Sequence, residues 1–98
     1  MDEVLTLEHF TPHVGKIARF KGTPHAFPID RVEQEGTVPP PGLLRLPFTV
    51  IFRGPRVREV LPEGLYDCEI DDGPVFSLYV MPIHTPQPDR QEYQASFN

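Results

Sequence analysis

The chain is predicted to be all-β: a small six-stranded antiparallel barrel, or a strongly bent sheet, with a short N-terminal helix, residues 1–98 forming a single barrel-like domain. Three observations predict it. Phe48-Thr49-Val50-Ile51-Phe52-Arg53 alternates aromatic and β-branched residues with polar ones and stops at Gly54-Pro55. The other apolar runs share this period of two. Thirteen prolines, more than twice average usage, exclude long helices from most of the chain, because proline fits neither helix interiors nor central strand positions.

The elements follow in order. Val4, Leu7 and Phe10 have helical spacing, and Pro12 stops that pattern, so one or two helical turns are expected to cap one end of the barrel. Lys16 to Phe20 is a short strand, and Gly22-Thr23-Pro24-His25 a turn into a second strand from Phe27 to Glu33. Gln34 to Pro47 is a polyproline-like loop containing Pro39, Pro40 and Pro41. After Phe48 to Arg53, Leu61-Pro62-Glu63-Gly64 is a turn that launches Leu65 to Ile70. Asp72-Gly73 marks a hairpin into Val75 to Ile83, and Glu92 to Phe97 forms the last strand. The inward positions form the expected core: Ala18, Phe20, Phe27, Ile29, Phe48, Val50, Phe52, Tyr66, Cys68, Ile70, Phe76, Leu78, Val80, Tyr93, Ala95 and Phe97.

Composition narrows the function classes. With 98 residues, roughly 60–65% of the unfolded surface can be buried, in one core. The hydrophobic share of 39% is low, but ten aromatics make that core feasible. A net charge of −5 opposes binding to nucleic acid or to anionic lipid, which needs clustered Lys and Arg. No apolar stretch approaches membrane-spanning length, and no basic segment followed by an apolar one comes after Met1, so cytoplasmic synthesis is expected, with incorporation into a larger particle left open. Cys68 is the only cysteine and cannot form an intrachain disulfide.

Each candidate chemical group has a structural counterpart reading. His9 and His13 stand at the i, i+4 spacing of helical metal sites, with Glu8 alongside, but Pro12 interrupts the helix and no motif supplies a third ligand. His25 and His84 fall in loops. Asp67, Glu69 and Asp71 share one strand face, with Asp72 and Glu63 near its ends; calcium or a sugar could use such a face, yet a half-buried strand needs the same alternation. Arg53, Arg56 and Arg58 form a basic cluster suited to a phosphate or carboxylate, or to pairing with the acidic strand face or a neighbouring subunit. Cys68 alternates into the core, where thiols are inert, and Ser77 and Ser96 lack a nucleophile-elbow motif.

The segments Leu7-Glu8-His9-Phe10 with Gly15-Lys16, Pro47 to Pro55, Leu61-Pro62-Glu63-Gly64-Leu65-Tyr66, Val80-Met81-Pro82-Ile83 and Tyr93 to Asn98 resemble a small family of uncharacterised bacterial proteins, a domain of unknown function of about this length. The resemblance covers nearly the whole chain through turn-and-strand signatures. It implies stand-alone β-domains associated with phage-tail-like collar or fibre proteins. The chain departs from that pattern in its Asp71-Asp72-Gly73 turn and its Pro39-Pro40-Pro41 loop, and no functional residue transfers.

The reading that results is a non-enzymatic structural or interaction module that binds a protein partner or itself. Its contacts are a sheet edge, the loop at Pro39, Pro40 and Pro41, and the connection carrying Arg53, Arg56 and Arg58. No cofactor is expected. The alternative is a small-ligand or metal-binding β-domain using the acidic face or the histidines.

Overall fold

The computed structural model describes residues 5–34, 36, 41–42, 46–86 and 88–97. Pro39 and Pro40 of the proline loop lie outside the described residues; Pro41 is exposed in a turn. Two 3-10 turns, Leu7–His9 and Thr11–His13, precede six strands: β1 (Ile17–Phe20), β2 (Ala26–Gln34), β3 (Phe48–Pro55), β4 (Gly64–Ile70), β5 (Val75–Ile83) and β6 (Arg90–Phe97). They form a closed antiparallel barrel in the order β1-β2-β3-β6-β5-β4, with β4 pairing back onto β1 through Ala18↔Ile70, Arg19↔Glu69 and Phe20↔Cys68. Both β4-β1-β2-β3 and β3-β6-β5-β4 are Greek keys, each made of three strands in sequence and a fourth that returns beside the first. Closure uses up the sheet edge expected to receive a partner, which answers the exposed-edge problem of a small sheet.

Two long strands turn the corners. The first half of β2 pairs with β1 and its second half with β3, while β5 pairs with β4 up to Val80 and with β6 from Met81 to Ile83. The bend in β2 has an identifiable cause. Its register steps from Ile29↔Phe52 to Arg31↔Ile51, so Asp30 is an extra residue, a β-bulge. Without it, strict alternation would point Arg31 into the barrel. With it, Ile29 stays in the core and Val32 packs against it, while Asp30 and Arg31 both reach the outer face.

The interior is filled with side chains. Phe20, Phe27, Ile29, Phe48, Val50, Phe52, Leu78, Val80, Tyr93 and Ala95 are each at most 3% exposed, and the expected core is buried apart from Tyr66 and Phe97, which pack against it partly exposed. Ring pairs run through it, with Phe27 stacked on Tyr93 at 4.6 Å and Phe48 on Phe97 at 4.6 Å.

Three further residues are buried that strand periodicity does not single out. Phe10 joins the two 3-10 turns and plugs the barrel end, 4.5 Å from the Phe76 ring and 5.4 Å from that of Phe97. The helical path continues through Pro12 instead of stopping at it, because proline occupies the first turn of the second segment, where its missing N–H costs nothing. Leu61 is held by its N–H donating to the Tyr93 hydroxyl at 3.2 Å. Ile51 faces outward in the ladder yet is 2% exposed, flanked across the strands by Arg31 and Gln94.

Gly54 meets a packing limit. A Cβ there would lie 2.7 Å from the Phe27 ring, and that ring is pinned by its stack on Tyr93. Gly54→Ala is therefore expected to destabilise the fold by about 1–3 kcal/mol through overpacking, read as a lowered urea midpoint at unchanged slope. An unchanged midpoint would show that the ring moves freely.

Candidate functional site

The polar chemistry of the outer face concentrates where β2, β3 and β6 run side by side. The bulge sets the Asp30 carboxylate among three guanidiniums: Arg31 Nη1 at 2.7 Å, Arg53 Nη1 at 3.0 Å and Arg90 Nη1 at 3.8 Å. Glu92, facing Arg53 in the β3–β6 register, is only 4% exposed and is matched by Arg90 Nη2 at 2.7 Å and Arg31 Nη1 at 3.4 Å. Burial alone would lower the Arg31 pKa; hydrogen bonds to Glu92 and Asp30, with the field of Glu33, outweigh it and hold the guanidinium above its ordinary value. A carboxylate as enclosed as Glu92 is tolerated only because it is paired on two sides.

Beside this network is an open cleft of about 600 Å³ lined by Pro28 of β2, Arg53, Gly54 and Pro55 of β3, and Asp89 and Arg90 at the start of β6. Arg53 gives Asp30 one hydrogen bond and has no other bond among the described residues, and its side chain is 48% exposed. Among the described residues, the buried Arg90 Nε has no hydrogen-bond partner.

The residues singled out in the sequence are distributed differently from the expectation. Arg53 is part of the site, but its partner is Asp30 of β2, not the acidic face of β4, and Arg56 and Arg58 lie beyond the end of β3 in an exposed connection. The basic neighbour that the fold brings to Arg53 is Arg90, 37 positions away, and adjacency in sequence could not find it. Only the β3–β6 register, Arg53↔Glu92 and Pro55↔Arg90, joins them.

Asp71, in the turn just past β4, takes a two-pronged contact from Arg19 at 3.0 and 3.3 Å, and Glu69 of β4 lies 3.7 Å from Lys21, so these two carboxylates are matched across the β1–β4 seam. Asp67 and Asp72 are more open to solvent; Asp72 takes a left-handed turn conformation (φ 56°). Glu63 accepts a hydrogen bond from the Tyr79 hydroxyl, which raises the Tyr79 pKa.

The histidines have structural uses. His9 Nδ1 accepts the Thr6 N–H at 2.9 Å in a capping arrangement, so the proton of the neutral ring sits on Nε2. His13 Nδ1 is 3.3 Å from Lys16 Nζ, and His25 packs on the Phe27 ring at 5.6 Å. His84 is exposed in a loop. Among the described residues, no three His, Cys, Asp or Glu side chains are grouped to hold a metal ion. Ser77 and Ser96 are exposed strand residues, Ser96 lying 3.4 Å from the Thr49 hydroxyl.

The class defined by this geometry is a small, filled, Greek-key β-barrel whose polar groups are gathered on its outer surface. The chain belongs to the family described as Domain of unknown function (DUF6916), whose model matches residues 5–97. No curated protein and no solved structure gives a significant match to it. No helix among the described residues is long and apolar enough to cross a membrane.

Cys68 is fully buried, and that burial pushes its thiol pKa from the usual 9.0 up to about 12. Burial also raises Tyr93, an effect partly offset by its bond from Leu61. Both groups are acids with folded pKa values above their unfolded ones. The stability they confer is complete below pH 9, where the unfolded thiol begins to ionise, and is lost as pH rises towards 12. The native thiol should resist a disulfide reagent at about pH 8 and react only on unfolding, and the urea midpoint should fall steadily above pH 9, less so in Cys68→Ala. Rapid native labelling would contradict the burial.

Proposed function

We propose that this protein is a non-enzymatic interaction module that binds a protein partner or a second copy of itself, as an accessory or assembly subunit of a phage-tail-like or fibre-type particle. The observation that carries the reading is the connection between β3 and β4. Residues 55–60 are all exposed, Val57 at 54% and Val60 at 38%, and the run is anchored where Leu61 enters the core and bonds Tyr93. Two valines held in solvent beside Arg56 and Arg58, on a frame with a filled interior, are suited to burial against another protein. The filled barrel also supports the reading, since its interior residues are committed to packing and binding falls to the outside.

The particle assignment rests on the resemblance of the strand-and-turn segments to proteins of that kind. Because the barrel is closed and offers no free sheet edge, the reading takes this connection and the adjoining Arg53 face as the contact.

The test places a photo-crosslinking residue at position 57, with position 77 on the exposed face of β5 as control, in cells of the source organism. A defined adduct from position 57, absent from position 77 and abolished by Val60→Asp, is expected. A strictly monomeric protein giving no adduct from position 57 would overturn the reading.

A further inference from the structure

We infer that the cleft between Arg53 and Arg90 is a carboxylate-binding site for an acidic side chain of a protein partner. The inference deepens the interaction reading and rests on it for the source of the ligand, while the site itself rests on four observations.

First, Arg53 and Arg90 address the same atom, Asp30 Oδ1, at 3.0 and 3.8 Å, so two guanidiniums stand side by side at the cleft. Second, their donor capacity is not used up. Among the described residues, Arg53 spends one N–H on Asp30 and leaves Nε and Nη2 without an acceptor, while Arg90 Nη1, at 3.8 Å from Asp30, is an ion-pair neighbour beyond hydrogen-bond range. A guanidinium has five donors in a planar fork that matches a carboxylate. Third, the inner network has three cations, Arg31, Arg53 and Arg90, against two enclosed carboxylates, Asp30 and Glu92, while Glu33 meets Arg31 from an exposed position. Counting the enclosed carboxylates alone, the balance is one positive charge, with the exposed Glu33 and Asp89 at its margin.

Fourth, the walls identify the chemistry. Pro28 and Pro55 line the cleft and carry no N–H, Gly54 is buried, and Asp89 can only accept, so the guanidiniums of Arg53 and Arg90 are the donors that the lining side chains offer. A glutamate or aspartate side chain offers a single charge for the arginines and methylenes for the proline rings. A phosphate dianion would have no use for those walls and would add a second negative charge next to Asp89 and Asp30. The fold makes the site by pairing β3 with β6, and the bulge at Asp30 holds Arg53 and Arg90 together from below.

Arg53 can be removed without stranding its partner. Asp30 keeps Arg31 and Arg90, so Arg53→Gln retains the network, whereas Arg90→Gln would leave the buried Glu92 with Arg31 alone. The probes are a capped peptide carrying two glutamates, its glutamine counterpart, and inorganic phosphate, each titrated into the 15N-labelled protein. Saturable amide shifts at Arg53, Gly54 and Arg90 with the glutamate peptide are expected, with none from the glutamine peptide, weaker ones from phosphate, and about tenfold weaker binding by Arg53→Gln. The inference is overturned if phosphate binds as tightly as the peptide, if Arg53→Gln binds as tightly as the parent, or if those amides do not shift. Because the titration needs no native partner, its failure leaves the crosslinking result at position 57 standing, and the converse also holds.

Discussion

One extra residue in β2 sets the layout of the outer face. A strand of period two cannot keep Ile29 and Val32 on the inside and Asp30 and Arg31 on the outside unless its phase slips once, and the bulge at Asp30 supplies the slip. The same irregularity bends β2 so that one strand serves two ladders, first with β1 and then with β3. Barrel closure and the gathering of charge around Asp30 are thus two consequences of one local device. β5 makes the opposite corner, changing partner from β4 to β6 after Val80.

Inside and outside are stabilised by different forces. The interior depends on close packing, with rings stacked at 4.6 Å, a bare Gly54 where the Phe27 ring leaves no room for a Cβ, and Phe10 as a plug. The outside depends on charge matched across strands: Arg19 with Asp71 and Lys21 with Glu69 at the β1–β4 seam, and the Asp30 and Glu92 network on the far side. Exposed pairs such as Lys21 with Glu69 contribute little individually. Glu92 is different, because at 4% exposure its partners decide whether the charge can be there at all.

The strands and most of the core were legible in the sequence because alternation is a local signal, and residues such as Phe48, Val50 and Phe52 announce their face without reference to the rest of the fold. Phe10 and Leu61 were not, since neither lies in a strand and each is buried by something distant, Phe10 by Phe76 and Phe97, Leu61 by Tyr93. Arg53 stands out in the sequence as part of a basic cluster, but in the company of Arg56 and Arg58, its neighbours along the chain. The pairing of β3 with β6 brings Arg90 beside it, and that pairing follows from a Greek-key connection which local pattern does not encode. The bulge is hidden for the same reason: Phe27 to Glu33 reads as an ordinary strand until its partner's register is known.

The most direct test of this account compares the stability of Asp30→Asn with that of Asp67→Asn by chemical denaturation. Asp30 is the common acceptor of three guanidiniums and its side chain is 15% exposed, whereas Asp67 is an exposed residue on β4. Asp30→Asn should cost about 1–3 kcal/mol by leaving three like charges around a neutral amide, and Asp67→Asn should stay within about 0.5 kcal/mol of the parent. Equal and small effects at both positions would contradict the central role assigned to Asp30 and its bulge.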